Sequence, residues 1–485
     1  MRCLLLLCLL RPSAALNFSS RSYAATTLGY SAFYHRNKNN NLIHAWIEPS
    51  LKSTTRIASA KTTTTLLNSM MDNLTPTNAD EEWRGPTGES GSLERLCSIS
   101  LRACQIMNPL ISQIYQQLLV SLDEGNASSS EKGGSVKKLK QDKSAFTIAD
   151  GLVQRFLIEV LYSKISFLGI VGEEEDGNGE GLSDESWFHV EGLTIPEELR
   201  PLVVSTKDEI EALALEYLAP EPNNDYQQLT VFIDPIDGTR EFSTGKGEQC
   251  SVCIGFANKH GKAIGGVVYR PLSLPKPTWV AGAKSEGYAV YNFGGKKPSS
   301  TNNGGLLTTN GSISPFLGSL IEELQVERVK SGGAGNKMML LLESSISDAT
   351  NGSMLYIQDR GVSRWDTCAA EACLDSFGGA LLKMTPFLET ESCKDEQNDE
   401  YYTYLASQSN LDFIPGTSLL TKQNCRKLSE EVKLSKLISD IDLVKPYSNL
   451  CGLVAIGKQW NTTKGKIQLK EAMQRAAKKN PPSFS

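Results

Sequence analysis

The sequence predicts a layered α/β protein whose first half is of α+β type. Three observations carry that expectation. Apolar residues recur at helical spacing from Leu93 to Leu122. Short runs of strand character follow at Gln249 to Ala257, Gly261 to Tyr269, Trp279 to Ala283 and Gly287 to Tyr291. From Leu306 onward, helical and strand patterns alternate. A chain of 485 residues with no evident internal repeat can build two packed domains or one large one. The polar stretch Gly294 to Gly305 reads as a connector. We therefore expect an N-terminal α+β half over 93–305, a C-terminal α/β half over 306–457, and a tail at 458–485.

Residues 1–71 are made differently. They hold eight Lys or Arg and one acidic residue, Glu48, a formal charge of +7 that leaves −13 for residues 72–485 against a total of −6. Arg2 and the apolar run Cys3 to Leu10, followed by Ser13-Ala14-Ala15-Leu16, have the form of a cleavable signal too short to span a membrane. The Ser-, Thr- and Asn-rich stretch up to Met71 has transit-peptide composition. Together they resemble the bipartite presequences of complex plastids, with a mitochondrial presequence as the alternative. Organellar delivery is expected, without stable membrane association after processing. A plain secretory signal fits less well, because eleven cysteines without compact spacing would enter an oxidising compartment.

Along the rest of the chain, Leu93 to Leu122 reads as a helix and Gly125 to Lys140 as a Gly-, Ser- and Lys-rich loop. Lys140 to Asp150 then opens the amphipathic stretch Leu152 to Leu161, where Thr147 and Asp150 would serve as ordinary helix caps. Ile165 to Val171 reads as a strand followed by Gly172-Glu173-Glu174-Glu175-Asp176, by itself a solvated charge cluster. The acidic, Pro-containing insertion Asp176 to Gln228 is expected to make surface excursions that form a cover. Arg364-Trp365-Asp366-Thr367 opens an Ala-rich helix. Lys464 to Lys479 reads as a frayed basic tail, with an amphipathic helix as the alternative.

The densest chemistry lies in Asp234-Pro235-Ile236-Asp237-Gly238-Thr239, at the end of the buried-strand run Leu229 to Ile233. Pro235 fixes its own φ and lacks a donor, so the chain is expected to turn and bring Asp237 back toward Asp234. The amides of Gly238 and Thr239 would then open a segment that attracts phosphate, beside the Thr239 hydroxyl. An Asp-Pro turn capping a helix explains the hexapeptide alone. The four segments together supply Asp150, Glu173, Asp234, Asp237 and Asp366, an excess of carboxylates that multivalent cations would stabilise at one site.

In this order, the Gly-Glu-Glu, Asp-Pro-Ile-Asp-Gly-Thr and Trp-Asp segments resemble the lithium-sensitive, magnesium-dependent phosphatases of the inositol monophosphatase superfamily. The likeness covers roughly residues 93–457 and is strongest to the 3′(2′),5′-bisphosphate nucleotidases. It implies a layered αβαβα fold with two halves flanking a metal site. It also implies Glu173, Asp234, the Ile236 carbonyl, Asp237 and Asp366 as ligands of two or three Mg²⁺, with Asp142 and Asp150 near the metals. Asp150 with Thr239 would position and deprotonate the attacking water. Gly238, Thr239, Ser312, Gly333, Lys337 and Asp366 would contact the substrate, with Lys337 meeting the phosphate that is not cleaved. The four histidines, His35, His44, His189 and His260, are not required for this chemistry.

Lys330 to Lys337 resembles the segment of bisphosphate nucleotidases that lies against the nucleotide. Its spacing is wrong for a dinucleotide fingerprint, because Met338 to Leu342 continues as a buried helix. One departure stands out: near Thr308 to Ser314 those enzymes tend to carry a basic residue and a histidine, where this chain has Gly311 and Ile313. The substrate implied is a small phosphorylated metabolite, adenosine 3′,5′-bisphosphate first and an inositol or other sugar phosphate second. A nucleotide-binding sensor with vestigial catalysis is the non-enzymatic alternative. The acidic mature chain argues against a nucleic-acid polymer. Cys250 and Cys253 form a Cys-x-x-Cys within a strand pattern. Residues three apart on a strand face opposite sides, so both read as core rather than as a redox pair or zinc clip.

Overall fold

A strand that is apolar on both faces needs cover on both sides, and the strands of this protein are sandwiched accordingly. The computed structural model describes residues 84–127, 134–173, 184–219, 225–293, 304–346, 354–359, 362–389, 402–404, 448–449 and 452–482. The expected presequence at 1–71 and the acidic residues Glu174, Glu175 and Asp176 lie outside the described residues.

The first sheet joins β1 (Gly169–Gly172) to β4 (Leu229–Asp237), β5 (Ser251–Asn258), β6 (Ala263–Arg270), β7 (Thr278–Ala283) and β8 (Tyr288–Asn292), in the order β1-β4-β5-β6-β7-β8. β1 and β4 are parallel, and every later pair is antiparallel. Between β1 and β4 lies the small hairpin of β2 (His189–Val190) and β3 (Leu193–Thr194). The second sheet runs in the order β10-β9-β11-β15-β13, from β9 (Gly305–Thr308), β10 (Glu327–Lys330), β11 (Met354–Gln358), β13 (Ala380–Lys383) and β15 (Leu453–Ile456), while β12 (Val362–Ser363) and β14 (Ser448–Asn449) form a separate antiparallel pair.

Side-chain alternation places the helices. On β5, Val252, Ile254 and Phe256 join a core with helices α1 (Leu93–Ala127), α2 (Gly134–Arg155) and α3 (Arg200–Tyr217). Cys253 and Ala257 face the other way, toward α6 (Ala334–Ile346) and α7 (Cys368–Ser376). The second sheet repeats the pattern. Met354 and Tyr356 of β11 join that middle layer, whereas Leu355 and Ile357 pack with α5 (Pro315–Leu324), α8 (Met384–Glu389) and α9 (Thr463–Lys479). The result is an αβαβα stack.

A track of glycines sets the tightest joint in it. Gly255, Gly266 and Gly282 are register partners across β5, β6 and β7. A Cβ on Gly255 or Gly266 would lie 2.5 Å from backbone atoms of Ala369, and one on Gly282 would lie 2.6 Å from Ser376 Oγ. α7 therefore sits directly on the sheet backbone, and Asp366, two residues before its start, is held where the sheet dictates.

Four local expectations are corrected. The chain does not turn at Pro235: β4 continues to Asp237, with Asp234 opposite Cys253 and Asp237 opposite Ser251. Three steps on one strand meet two on the other, a bulge that a residue without an N–H favours. The expected loop ends early, because α2 begins at Gly134 and places Asp150 inside the helix rather than at its cap. The helix ends in a π-helical turn, Phe156–Leu161.

The insertion is not simply a cover. Among its described residues Ile195, Leu199, Val203, Ile210, Leu213 and Leu218 are core, and Val203, Ile210 and Leu213 line one face of α3, which packs on α1. The expected basic tail is the helix α9. Thr462 caps it by accepting from the Gly465 amide at 3.0 Å, and Leu469, Met473 and Ala476 are buried against α5 and α8. Arg475 and Lys479 are anchored to Glu323 at 2.8 and 2.7 Å. Apart from the buried Lys470, its basic residues lie toward solvent, which is why composition concealed an apolar stripe. Among the described residues no helix is long and apolar enough to cross a membrane.

Candidate active site

Parallel pairing of β1 with β4 brings their carboxyl ends together. The Glu173 amide donates to the Ile233 carbonyl at 3.1 Å, which sets Glu173 beside Asp234. Asp366 arrives from the turn before α7, fixed by the Ser363 amide donating to its Oδ2 at 2.8 Å. Carboxylate oxygens of Glu173, Asp234 and Asp366 lie within 4.8 Å of one another.

Such convergence is unfavourable without a counter-charge. Burial, followed by the charges of Glu173, Asp237 and Asp366, pushes the Asp234 carboxyl well above the usual carboxylate range. Burial, then the charge of Asp237, raises Asp366 to about 6. Asp234 Oδ1 is buried and meets no hydrogen-bond partner among the described residues. Hard oxygen donors in mutual repulsion, one of them orphaned, suit a divalent cation such as Mg²⁺.

Asp237 is held differently. Its Oδ1 accepts from the Ala334 amide at 2.8 Å, and its Oδ2 accepts from the Gly335 amide at 2.8 Å and the Ser251 hydroxyl at 2.9 Å. Burial raises its carboxyl, while Lys337 and these donors pull it back. Two lone pairs on each oxygen leave Oδ1 one further acceptor position. Ile236, also in the bulge, is buried. Gly238 then adopts φ +99°, in the left-handed region that favours glycine, and opens the five-residue helix α4 (Thr239–Ser243) with Thr239 exposed. Asp150 is buried on α2, which packs against α4. Asp142 lies within the span of α2, but its side chain is outside the described ones.

Next to the carboxylates is a cavity of about 230 Å³, lined by Arg240, Ser312, Gly333, Lys337, Tyr356 and Asp359 among others. It adjoins the carboxylate side closely: a Cβ on Gly333, whose φ is +63°, would stand 2.8 Å from Asp237 Oδ2. Lys337 is buried with its Nζ 5.0 Å from the Tyr356 ring centroid. Burial lowers its ammonium, and Asp237, Glu241 and Asp366 oppose that shift. Of the residues expected at the substrate, Ser312, Gly333 and Lys337 line this cavity, whereas Gly238, Thr239 and Asp366 do not.

Sequence reasoning missed the supports. Ser251 holds Asp237, and Asn310 donates to Glu241 at 2.9 Å and to Gln249 at 2.8 Å. Arg270 donates to Asn336 at 3.1 Å and forms a buried ion pair with Glu343. Asn336 in turn donates to Ser331 at 2.8 Å and to the Gly332 carbonyl at 3.0 Å, pinning the glycine-rich segment. Of these, Ser251, Asn310 and Asn336 lay inside segments already singled out, though without a role for them, and Arg270 did not.

Comparison with known proteins is decided by extent. The model of the inositol monophosphatase family matches residues 110–407, a span that includes Asp150, Glu173, the Asp234 bulge, Lys337 and Asp366. The chain belongs to the inositol monophosphatase family. Similar relatives include the 3′(2′),5′-bisphosphate nucleotidase 1 of Mus musculus, 28% identical over 250 residues, covering 48% of this chain and 70% of that protein. Inositol monophosphatase 3 of Danio rerio is 26% identical over 275 residues, covering 51% and 70%. Among solved structures, an inositol monophosphatase from Anabaena covers 57% of this chain and 86% of its own at 17% identity, with a TM-score of 0.29. Family membership and the relatives' names support a phosphatase.

Proposed function

We propose that this chain is a Mg²⁺-dependent phosphomonoester hydrolase that converts adenosine 3′,5′-bisphosphate to AMP and phosphate. The observation that carries this reading is the convergence of the Glu173, Asp234 and Asp366 carboxylates, with Asp237 of the same strand end bordering a cavity lined by Ser312, Gly333 and Lys337. Similarity to bisphosphate nucleotidases adds the choice of substrate.

In this reading Glu173, Asp234, Asp237, Asp366 and the Ile236 carbonyl hold the metal, and Asp150 with Thr239 orients water and takes its proton. A bound cation supplies positive charge against the phosphoryl oxygens and acidifies water. The water oxygen forms a bond to phosphorus, the ester P–O bond breaks, and the departing ribose oxygen takes up a proton. The Gly238 and Thr239 amides and Lys337 supply donors to the phosphate groups. An inositol or other sugar phosphate is the competing substrate, favoured by Gly311 and Ile313.

The test is phosphate release by the full chain with Mg²⁺ on adenosine 3′,5′-bisphosphate, inositol 1-phosphate and fructose 1,6-bisphosphate. Preference for the first is expected. Preference for a sugar phosphate would keep the chemistry and replace the substrate. No release from any would overturn the enzymatic reading.

A further inference from the structure

The geometry points to Arg240 as the residue that binds the uncleaved phosphate of a bisphosphate substrate, from a position other than the one where related nucleotidases tend to carry a cation. The inference rests on the substrate reading above and adds the residue that enforces it.

Among the described residues, three cations lie near the cavity or its rim, and two are already engaged. Lys337 is buried over the Tyr356 ring, among the charges of Asp237, Glu241 and Asp366, on the carboxylate side. Arg328 is consumed by the loop it supports: Nε donates to Thr308 Oγ1 at 2.9 Å, and Nη2 donates to the Thr309 carbonyl at 3.1 Å and also to the Gly311 carbonyl. Arg240 lines the cavity and is exposed, and its guanidinium has no hydrogen-bond or ion-pair partner among the described residues.

The space it occupies gives it a role. A Cβ on Gly311 would meet Arg240 Nη1 at 3.6 Å, with Thr309 Oγ1 the only other atom close by, at 3.9 Å. The guanidinium of Arg240 therefore stands in contact with the place where a side chain at position 311 would begin. Because Arg240 directly follows Thr239, one short helix offers Thr239 to the reacting phosphate and Arg240 to the second one. A planar guanidinium with free donors suits a phosphate dianion bidentately. The cavity also bears carboxylates, but Asn310 occupies Glu241 and Asp359 is buried. Neither offers a cation.

The test uses the full chain with Mg²⁺ and compares adenosine 3′,5′-bisphosphate with adenosine 3′-monophosphate, which lacks the second phosphate. Arg240→Ala is expected to lower the ratio of kcat/KM for bisphosphate over monophosphate by about ten- to a hundredfold, the size of a charge-assisted contact, with the loss in KM. Arg240→Lys should recover part of the ratio. Adding Gly311→Arg to Arg240→Ala should recover more, a rescue that a merely structural role for Arg240 would not give. An unchanged ratio in Arg240→Ala, or an equal fall on both substrates, overturns the inference. A wild-type chain that does not prefer the bisphosphate overturns the substrate reading itself, and that is visible before any variant is made.

Discussion

Asp237 Oδ2 and the Gly335 amide meet at 2.8 Å, and this bond ties the bulge of β4 to the first turn of α6. The strand end that carries the carboxylate cluster and the glycine-rich wall of the cavity are thereby tied together. Gly335→Ala should separate them, because its Cβ would stand 2.6 Å from Cys253 Sγ, 2.7 Å from Ser251 Oγ and 3.2 Å from Asp237 Oδ2. Overpacking of this kind costs about 1–3 kcal/mol. The expected outcome is a lower Tm and a larger fall in phosphate release, measured on one preparation. Wild-type values for both would show that the bond carries no weight.

Asp234→Asn should have opposite effects with and without metal. Buried between Glu173, Asp237 and Asp366, the carboxylate is unfavourable on its own, so removing its charge should leave the metal-free Tm equal or higher. The stabilisation by Mg²⁺ should vanish, which at a hundredfold excess over Kd is about 2.7 kcal/mol. Thermal melts across a Mg²⁺ titration measure both, and a variant with wild-type Mg²⁺ response would remove Asp234 from the ligand set.

How far this was legible in the sequence follows from the range of each interaction. The strands from Gln249 to Tyr291 were readable because their faces are covered by the same chain in regular alternation. Asp234 and Glu173 were readable because each ends an apolar run. The bulge at Pro235 was not, since its register depends on β5, some twenty residues away. The helix α9 ranked second to a frayed tail because its apolar stripe, Leu469, Met473 and Ala476, is narrow and diluted by lysines. Arg240 gave no signal either: its meaning depends on the empty side chain of Gly311, a contact between elements distant in sequence.

Glu371 offers a pH test away from the metal ligands. Burial, opposed by the Tyr404 hydroxyl that donates to it, raises its carboxyl to about 8 from an ordinary 4.5. In that window the folded state binds one more proton than the unfolded state, so stability falls as pH rises. The contribution is fully present below 4.5 and lost as pH passes through about 8. Glu371→Gln keeps an acceptor for Tyr404 and removes the titration. Denaturant melts from pH 5 to 9 should show the wild type losing up to about 1.4 kcal/mol per pH unit from this group, and the variant a correspondingly shallower slope. Parallel slopes would mean that Glu371 is not neutral in the fold.

The glycine track beneath α7 yields the sharpest stability prediction, because the obstruction there is backbone rather than a flexible side chain. A Cβ on Gly266 would stand 2.5 Å from the Ala369 carbonyl oxygen, 2.7 Å from its Cα and 3.0 Å from its carbonyl carbon. Helix α7 must then lift from the sheet, opening gaps around Cys368, Ala369 and Cys373, which are buried in the middle layer. Gly266→Ala should therefore destabilise by at least the 1–3 kcal/mol typical of overpacking. Asp366 lies two residues before α7, so the displacement should also move it away from Glu173 and Asp234. The variant is expected to lose Mg²⁺-induced stabilisation in addition to intrinsic stability, whereas a packing defect confined to the core would lower Tm and leave the Mg²⁺ increment intact. Melts with and without Mg²⁺ separate the two outcomes, and an intact increment would show that the placement of α7 does not set the position of Asp366.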